Sequence, residues 1–146
     1  MKKLHILLVE DNEGDILLTT EALEEMQIEI TLSIAKDGKD AIDIMCYECE
    51  SREEEPVNLV LLDINLPKRN GHEVLEYIKT NKHCDHVPVI MLTTSSFNKD
   101  RDHALKHLAD GFLTKPLDAR LLPPMIRSFK NPGFNYAIKT LGNDKR

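Results

Sequence analysis

Asp63 ends the apolar run Val57-Asn58-Leu59-Val60-Leu61-Leu62 and opens onto Ile64-Asn65-Leu66-Pro67-Lys68-Arg69-Asn70-Gly71. A strand that closes on a charge and then a proline and glycine turn sets that charge at the edge of a sheet. Glu10 and Asp11 close the apolar run from Leu4 to Val9 in the same way. If the two strands are neighbours, three carboxylates meet, and they repel unless one is protonated or a divalent cation neutralises them. Oxygen donors that leave positions to water suit Mg²⁺, which is usually held by one or two carboxylates plus a phosphate. Asp63 would then be a carboxylate oriented for in-line attack on a phosphoryl group. Lys115 could balance the charge of the transferring oxygens, and the Thr93 hydroxyl could donate a hydrogen bond to one of them. No separate general base is needed, because a carboxylate is already the nucleophile.

The elements that must position these groups are readable from periodicity. Residues 4–9, 28–35, 57–62, 87–93 and 111–114 read as strands. Between them, Ile16, Leu23 and Met26, then Ala41, Ile42, Met45 and Cys46, then Val74, Leu75 and Ile78 mark helical faces. Ala104, Leu105 and Leu108 mark a fourth, with Asn98 as its candidate cap and Gly111 following. The order βαβαβαβαβ plus a last helical segment predicts a doubly wound α/β fold, with helices on both faces of a five-stranded parallel sheet. In such sheets ligands sit beyond the carboxyl ends of the strands. Glu10 and Asp11, Asp63, Thr93 and Thr94, and Lys115 all fall at that edge.

At 146 residues the chain is one domain's worth. A net charge of -6 and a pI near 5.5 argue against phosphate-rich partners such as nucleic acid or an anionic membrane surface. The acidic stretch 49–55 and the basic stretch 119–146 read as solvated surface. No apolar run approaches a membrane span, and Met1-Lys2-Lys3 leads into a strand pattern rather than a signal peptide, so a cytoplasmic location is expected. Three cysteines, Cys46, Cys49 and Cys84, cannot all pair within the chain, which suits a reducing compartment.

Taken together, the Glu10-Asp11 pair, Asp63 in Asp-Ile-Asn-Leu-Pro-Lys-Arg-Asn-Gly, Thr93, and the Lys115-Pro116 pair resemble the receiver domain of bacterial two-component response regulators. The resemblance covers about residues 3 to 130. It implies a flavodoxin-like sheet of strand order 2-1-3-4-5. It further implies that Asp63 is the phosphoacceptor for a sensor histidine kinase, and that Asp11, Asp63 and the backbone carbonyl of Asn65 ligate Mg²⁺ directly, with Glu10 acting through a bound water. Thr93 and Lys115 would hold the phosphoryl group. Thr93 and Phe112 would form the switch, and Phe112, lacking a hydroxyl, could report only by packing. The Lys68-Arg69 pair, the acidic insertion before the third strand and the segment from Val9 to Asp15 are similar to the small single-domain regulators that partner bacterial phytochrome kinases, which implies a kinase of that type. The domain division expected is a receiver at 1–130 and a tail at 131–146 with no separate output domain. Output would then be a contact with a downstream protein or with a second copy. Pro123-Pro124 should force the last helix to start at or just after Leu122, or to bend there. The tail is either a frayed end or a docking arm.

Rival signals are weaker. Cys46-Tyr47-Glu48-Cys49 is a CxxC without a second pair, and its helical spacing reads as packing. His103 and His107 lack the glutamate of a zinc-protease motif. His83, Cys84 and His86 are merely close in sequence. A phosphatase of the haloacid dehalogenase type also uses an aspartate nucleophile with Mg²⁺, but in an Asp-x-Asp after the first strand, where this chain has Glu-Asp. A receiver-like adaptor that is never phosphorylated would not need the full set of acids, threonine and lysine.

Overall fold

The computed structural model describes residues 4–26, 29–51, 56–64, 71–93 and 108–129, with the side chains of 47–51 outside that description. Five parallel strands, β1 (Leu4–Val9), β2 (Ile30–Ala35), β3 (Leu59–Asp63), β4 (Val89–Thr93) and β5 (Gly111–Thr114), form one sheet in the order β2-β1-β3-β4-β5. This is the predicted 2-1-3-4-5 winding. The helices are α1 (Glu13–Glu24), α2 (Gly38–Ser51), α3 (Gly71–Thr80) and, after a 3₁₀ turn at Ala119–Leu121, α4 (Leu122–Ser128). The predicted helix around Ala104 and Leu105, with its cap Asn98, lies outside the described residues, as do residues 130–146.

The central strands are apolar on both faces because both faces are covered. All six residues of β1 and all five of β3 and of β4 are buried. Alternate residues divide between two cores. Leu7, Val9, Val60, Leu62, Val89 and Met91 pack with Ala41 and Met45 of α2 and Val74, Leu75 and Ile78 of α3. Leu4, Ile6, Leu8, Leu59, Leu61, Ile90 and Leu92 pack with Ile16 and Leu23 of α1 and Leu122 and Ile126 of α4. Each fully buried leucine or isoleucine contributes roughly 2 kcal/mol of transfer free energy. The period of two along the strands therefore decides which helices cover which face.

Two strands start later than their apolar runs. Val57 is buried, but Asn58 donates its N–H to the His5 carbonyl (2.8 Å) and accepts the His5 N–H on Oδ1 (2.9 Å), an irregular bridge that delays β3 to Leu59. Pro88 has no N–H to give, and β4 begins after it at Val89. The prolines of the last helix sit in its first turn, where their missing donors cost nothing. Asp118 Oδ1 caps the preceding turn by accepting the Arg120 N–H at 2.9 Å.

Candidate functional site

Parallel pairing brings the carboxyl ends of the strands to one edge. Val9 stands opposite Leu62, and Asp63 opposite Leu92, so Glu10 and Asp63 are neighbours one step beyond that register. Backbone bonds fix the groups that leave the sheet. Glu10 donates its N–H to Ala35 (2.9 Å), and Lys115 donates its N–H to the carbonyl of Thr93 (2.6 Å). The Lys115-Pro116 peptide bond is cis.

On the other side of Asp63 the chain returns at α3. Gly71 donates its N–H to the Ile64 carbonyl at 2.9 Å, and a Cβ on Gly71 would lie 2.6 Å from the Asp63 carbonyl oxygen and 2.7 Å from the Ile64 Cα. Both contacts are with backbone, so α3 can begin this close to Asp63 only with glycine there.

Carboxylate oxygens of Glu10, Asp11 and Asp63 lie within 4.8 Å of one another; Glu10 and Asp63 are buried, while Asp11 faces solvent. The Lys115 ammonium projects into the cluster, 2.5 Å from Glu10 Oε1 and 3.4 Å from Asp63 Oδ2. Burial pushes the Glu10 pKa up to about 7. The Lys115 ammonium opposes that rise, and the charge and hydrogen bond of Asp63 add to it. Burial acts to lower the pKa of Lys115, yet the pairs with Glu10 and Asp15, together with the charge of Asp63, more than reverse it and the ammonium is held charged. Among the described residues the edge is thus short of positive charge. Hard oxygen donors gathered around a solvent-open face, with a buried acid driven towards its protonated form, fit a hard divalent cation.

The structure brings together Glu10, Asp11, Asp63 and Lys115. Thr93 ends β4 beside them with its side chain buried. Phe112 lies on β5 opposite Met91, half-buried against the core beneath α2 and α3. Asn65 and Thr94 lie outside the described residues, as do the Lys68-Arg69 pair, His103 and His107. Cys46 is half-buried on α2, and Cys84 is buried, its thiol 3.5 Å from the Ile78 carbonyl, while His83 and His86 on either side are exposed. Among the described residues, the acidic trio is the one group of three or more such side chains placed to hold a metal.

One contact was not foreseen. Asp15, in the first turn of α1, places Oδ2 3.0 Å from the Lys115 ammonium. Asn12 caps that turn by accepting the Asp15 N–H at 2.9 Å. Asp15 lies in the first turn of the helix that Asn12 caps, directly after the Glu10-Asp11 pair, and that closeness in sequence is the signal that could have pointed to it. Its partner, a hundred residues further on, leaves no local trace.

A model of the response regulator receiver domain matches residues 6–127. The chain belongs to this family, the receiver domains of two-component systems. Response regulator Rcp1 of Synechocystis sp. is 36% identical over 126 residues, covering 86% of each chain. The structure of the bacteriophytochrome response regulator AtBRR superposes with a TM-score of 0.77 at 34% identity, over 88% of this chain and 94% of that one. The phosphorylated cyanobacterial phytochrome response regulator RcpA does so with a TM-score of 0.70 at 34% identity, over 82% and 86%. These matches lend no support to a phosphatase of the haloacid dehalogenase type. Among the described residues no helix is long and apolar enough to cross a membrane.

Proposed function

We propose that Asp63 is the phosphoacceptor of this receiver. The observation that carries the reading is the cluster of three carboxylates at the carboxyl edge of the sheet, with one lysine reaching two of them, on a chain of the receiver family. Asp63 attacks the phosphorus of a kinase phosphohistidine. The N–P bond breaks with its electron pair returning to the imidazole, and a new O–P bond makes an acyl phosphate. Asp11, Asp63 and the carbonyl of Asn65 would hold Mg²⁺, with Glu10 acting through water. When bound, the cation supplies positive charge to the acidic edge. Lys115 adds its ammonium on the phosphoryl oxygens, and Thr93 donates its hydroxyl to one of them. The new dianion favours the packing in which Thr93 and Lys115 both reach it, and Phe112 carries the change into the core beneath α2 and α3.

The receiver unit is read as residues 1–130, in keeping with the family match over 6–127, with 131–146 as a tail. It acts in the cytoplasm as a signalling protein rather than a turnover enzyme. It signals to a downstream protein or a second copy of itself, and its net charge of -6 speaks against nucleic acid. Similarity to Rcp1, AtBRR and RcpA, the last two named for phytochromes, supports a photoreceptor histidine kinase as donor.

The test is incubation with acetyl phosphate and Mg²⁺, and separately with a phosphorylated histidine kinase, followed by intact mass. One phosphoryl adduct is expected in the wild type, and none in Asp63→Asn or in EDTA. An unchanged wild-type mass with both donors rejects the reading, as would repeated turnover of small phosphomonoesters.

A further inference from the structure

Lys115 is shared among more acids than the proposed chemistry requires. Its ammonium lies 2.5 Å from Glu10, 3.0 Å from Asp15 and 3.4 Å from Asp63, so Asp15, which belongs to no metal or phosphoryl role, holds it closer than the proposed nucleophile does. Asp15 is also the most exposed of these three partners, at 33%, against 1% and 8% for the side chains of Glu10 and Asp63. A cavity of about 190 Å³ is lined by Asp15, Leu18, Thr19, Lys115 and Pro116. Lys115 therefore borders both the acidic cluster and this cavity, and the cavity gives the Asp15 carboxylate room to swing away.

We propose that Asp15 is a positioning residue that restrains the Lys115 ammonium in the unphosphorylated protein and must yield it when Asp63 takes the phosphoryl group. The proposal rests on Asp63 being the acceptor. Before transfer, Asp15 draws part of the ammonium charge away from the incoming phosphoryl oxygens and adds a negative charge near them. During transfer those oxygens compete with Asp15 for the same N–H donors. Asp15 thus sets a threshold on phosphorylation through Lys115 without touching the reacting atoms.

The experiment compares wild type, Asp15→Asn, Asp15→Glu, Lys115→Ala and the double variant Asp15→Asn/Lys115→Ala in the initial rate of adduct formation from acetyl phosphate with Mg²⁺. Acetate leaves as the O–P bond to Asp63 forms. Asp15→Asn is expected to react about fivefold faster than wild type, the upper end of what one partly exposed ion pair commands. Asp15→Glu should restore the slow rate, and in the Lys115→Ala background the same Asn substitution should change the rate by less than about twofold. A merely structural role for Asp15 at the start of α1 would act equally in both backgrounds. A metal-free measurement supplies a second readout. Solvent exchange of the Lys115 ammonium protons, followed by NMR, should quicken in Asp15→Asn. An Asp15→Asn rate equal to or slower than wild type, an undiminished effect without Lys115, or unchanged ammonium exchange overturns the proposal. A wild type that takes no phosphoryl group from either donor fails the acceptor reading instead, so the two failures are distinguishable.

Discussion

The two edges of this sheet use charge in opposite ways. At the amino edge, Lys79 near the end of α3 pairs with Asp110 at 2.6 Å and donates to the Val87 carbonyl at 2.8 Å. Asp110 in turn accepts the Val89 N–H at 2.8 Å and donates its own N–H back to Val89. One acid meets one base, and the remaining capacity of each goes to backbone. At the carboxyl edge, Lys115 faces Glu10, Asp15 and Asp63, with Asp11 beside them, and the pKa of the buried Glu10 rises to about 7. The first arrangement is complete in itself and ties β4 and β5 to α3. Among the described residues the second gathers more acids than cations, a surplus that suits a binding edge better than a brace.

The strongest way to break the contrast is at Gly71, because its contacts with Asp63 and Ile64 are with backbone that has no rotamer to change. Gly71→Ala is expected to cost about 2 to 3 kcal/mol in denaturant unfolding, at the upper end of overpacking penalties, and to slow phosphoryl acceptance by moving the end of β3. A variant as stable as wild type would show that α3 can retreat from Asp63 without consequence. At the amino edge, Lys79→Met leaves Asp110 without its ammonium. A loss of about 2 kcal/mol is expected, discounted from the fully buried case because the Asp110 side chain is one-third exposed. Phosphoryl acceptance in Lys79→Met should match wild type. If it falls, the two edges are coupled and the separation drawn between brace and binding edge is wrong.

The different character of the two edges also governs what could be read before the structure. The carboxyl edge was legible because its residues interrupt apolar runs: Glu10, Asp63, Thr93 and Lys115 each follow strand residues, and a parallel sheet has only one place to put them. The division of Leu7 from Leu8 and of Leu61 from Leu62 between the two faces was not, because an unbroken apolar run does not say which helices cover which side. The amino-edge brace was not, since Lys79 and Asp110 are charges at an ordinary helix end and an ordinary turn, and their pairing depends on how α3 lies across β4 and β5. The same holds for Asp15, whose contact with Lys115 spans a hundred residues of chain. The late start of β3 was hidden for a different reason: Asn58 spends both its backbone and its side chain on His5, a choice that β propensity at Val57 does not reveal.

The finest test of the imbalance is its pH dependence. The pKa of Glu10 is about 7 in the folded chain and 4.5 is its ordinary value, so the folded state takes up a proton that the unfolded state does not between those limits. Its contribution to stability is therefore fully present below about pH 4.5 and is lost as pH rises through 7. In metal-free protein the thermal midpoint should fall over that window, by the equivalent of about 1 kcal/mol once the water reaching this edge is allowed for. Glu10→Gln, which cannot ionise, should flatten the fall. Asp110→Asn, which alters the balanced edge, should leave its slope unchanged. Added Mg²⁺ works in the other direction, since a cation that needs the ionised cluster gains affinity as Glu10 loses its proton, so the metal-bound protein should be stabilised most above pH 7. A metal-free midpoint that does not respond to Glu10→Gln across this range would mean that Lys115 alone suffices to balance the acids, and the carboxyl edge would then be as self-contained as the amino one.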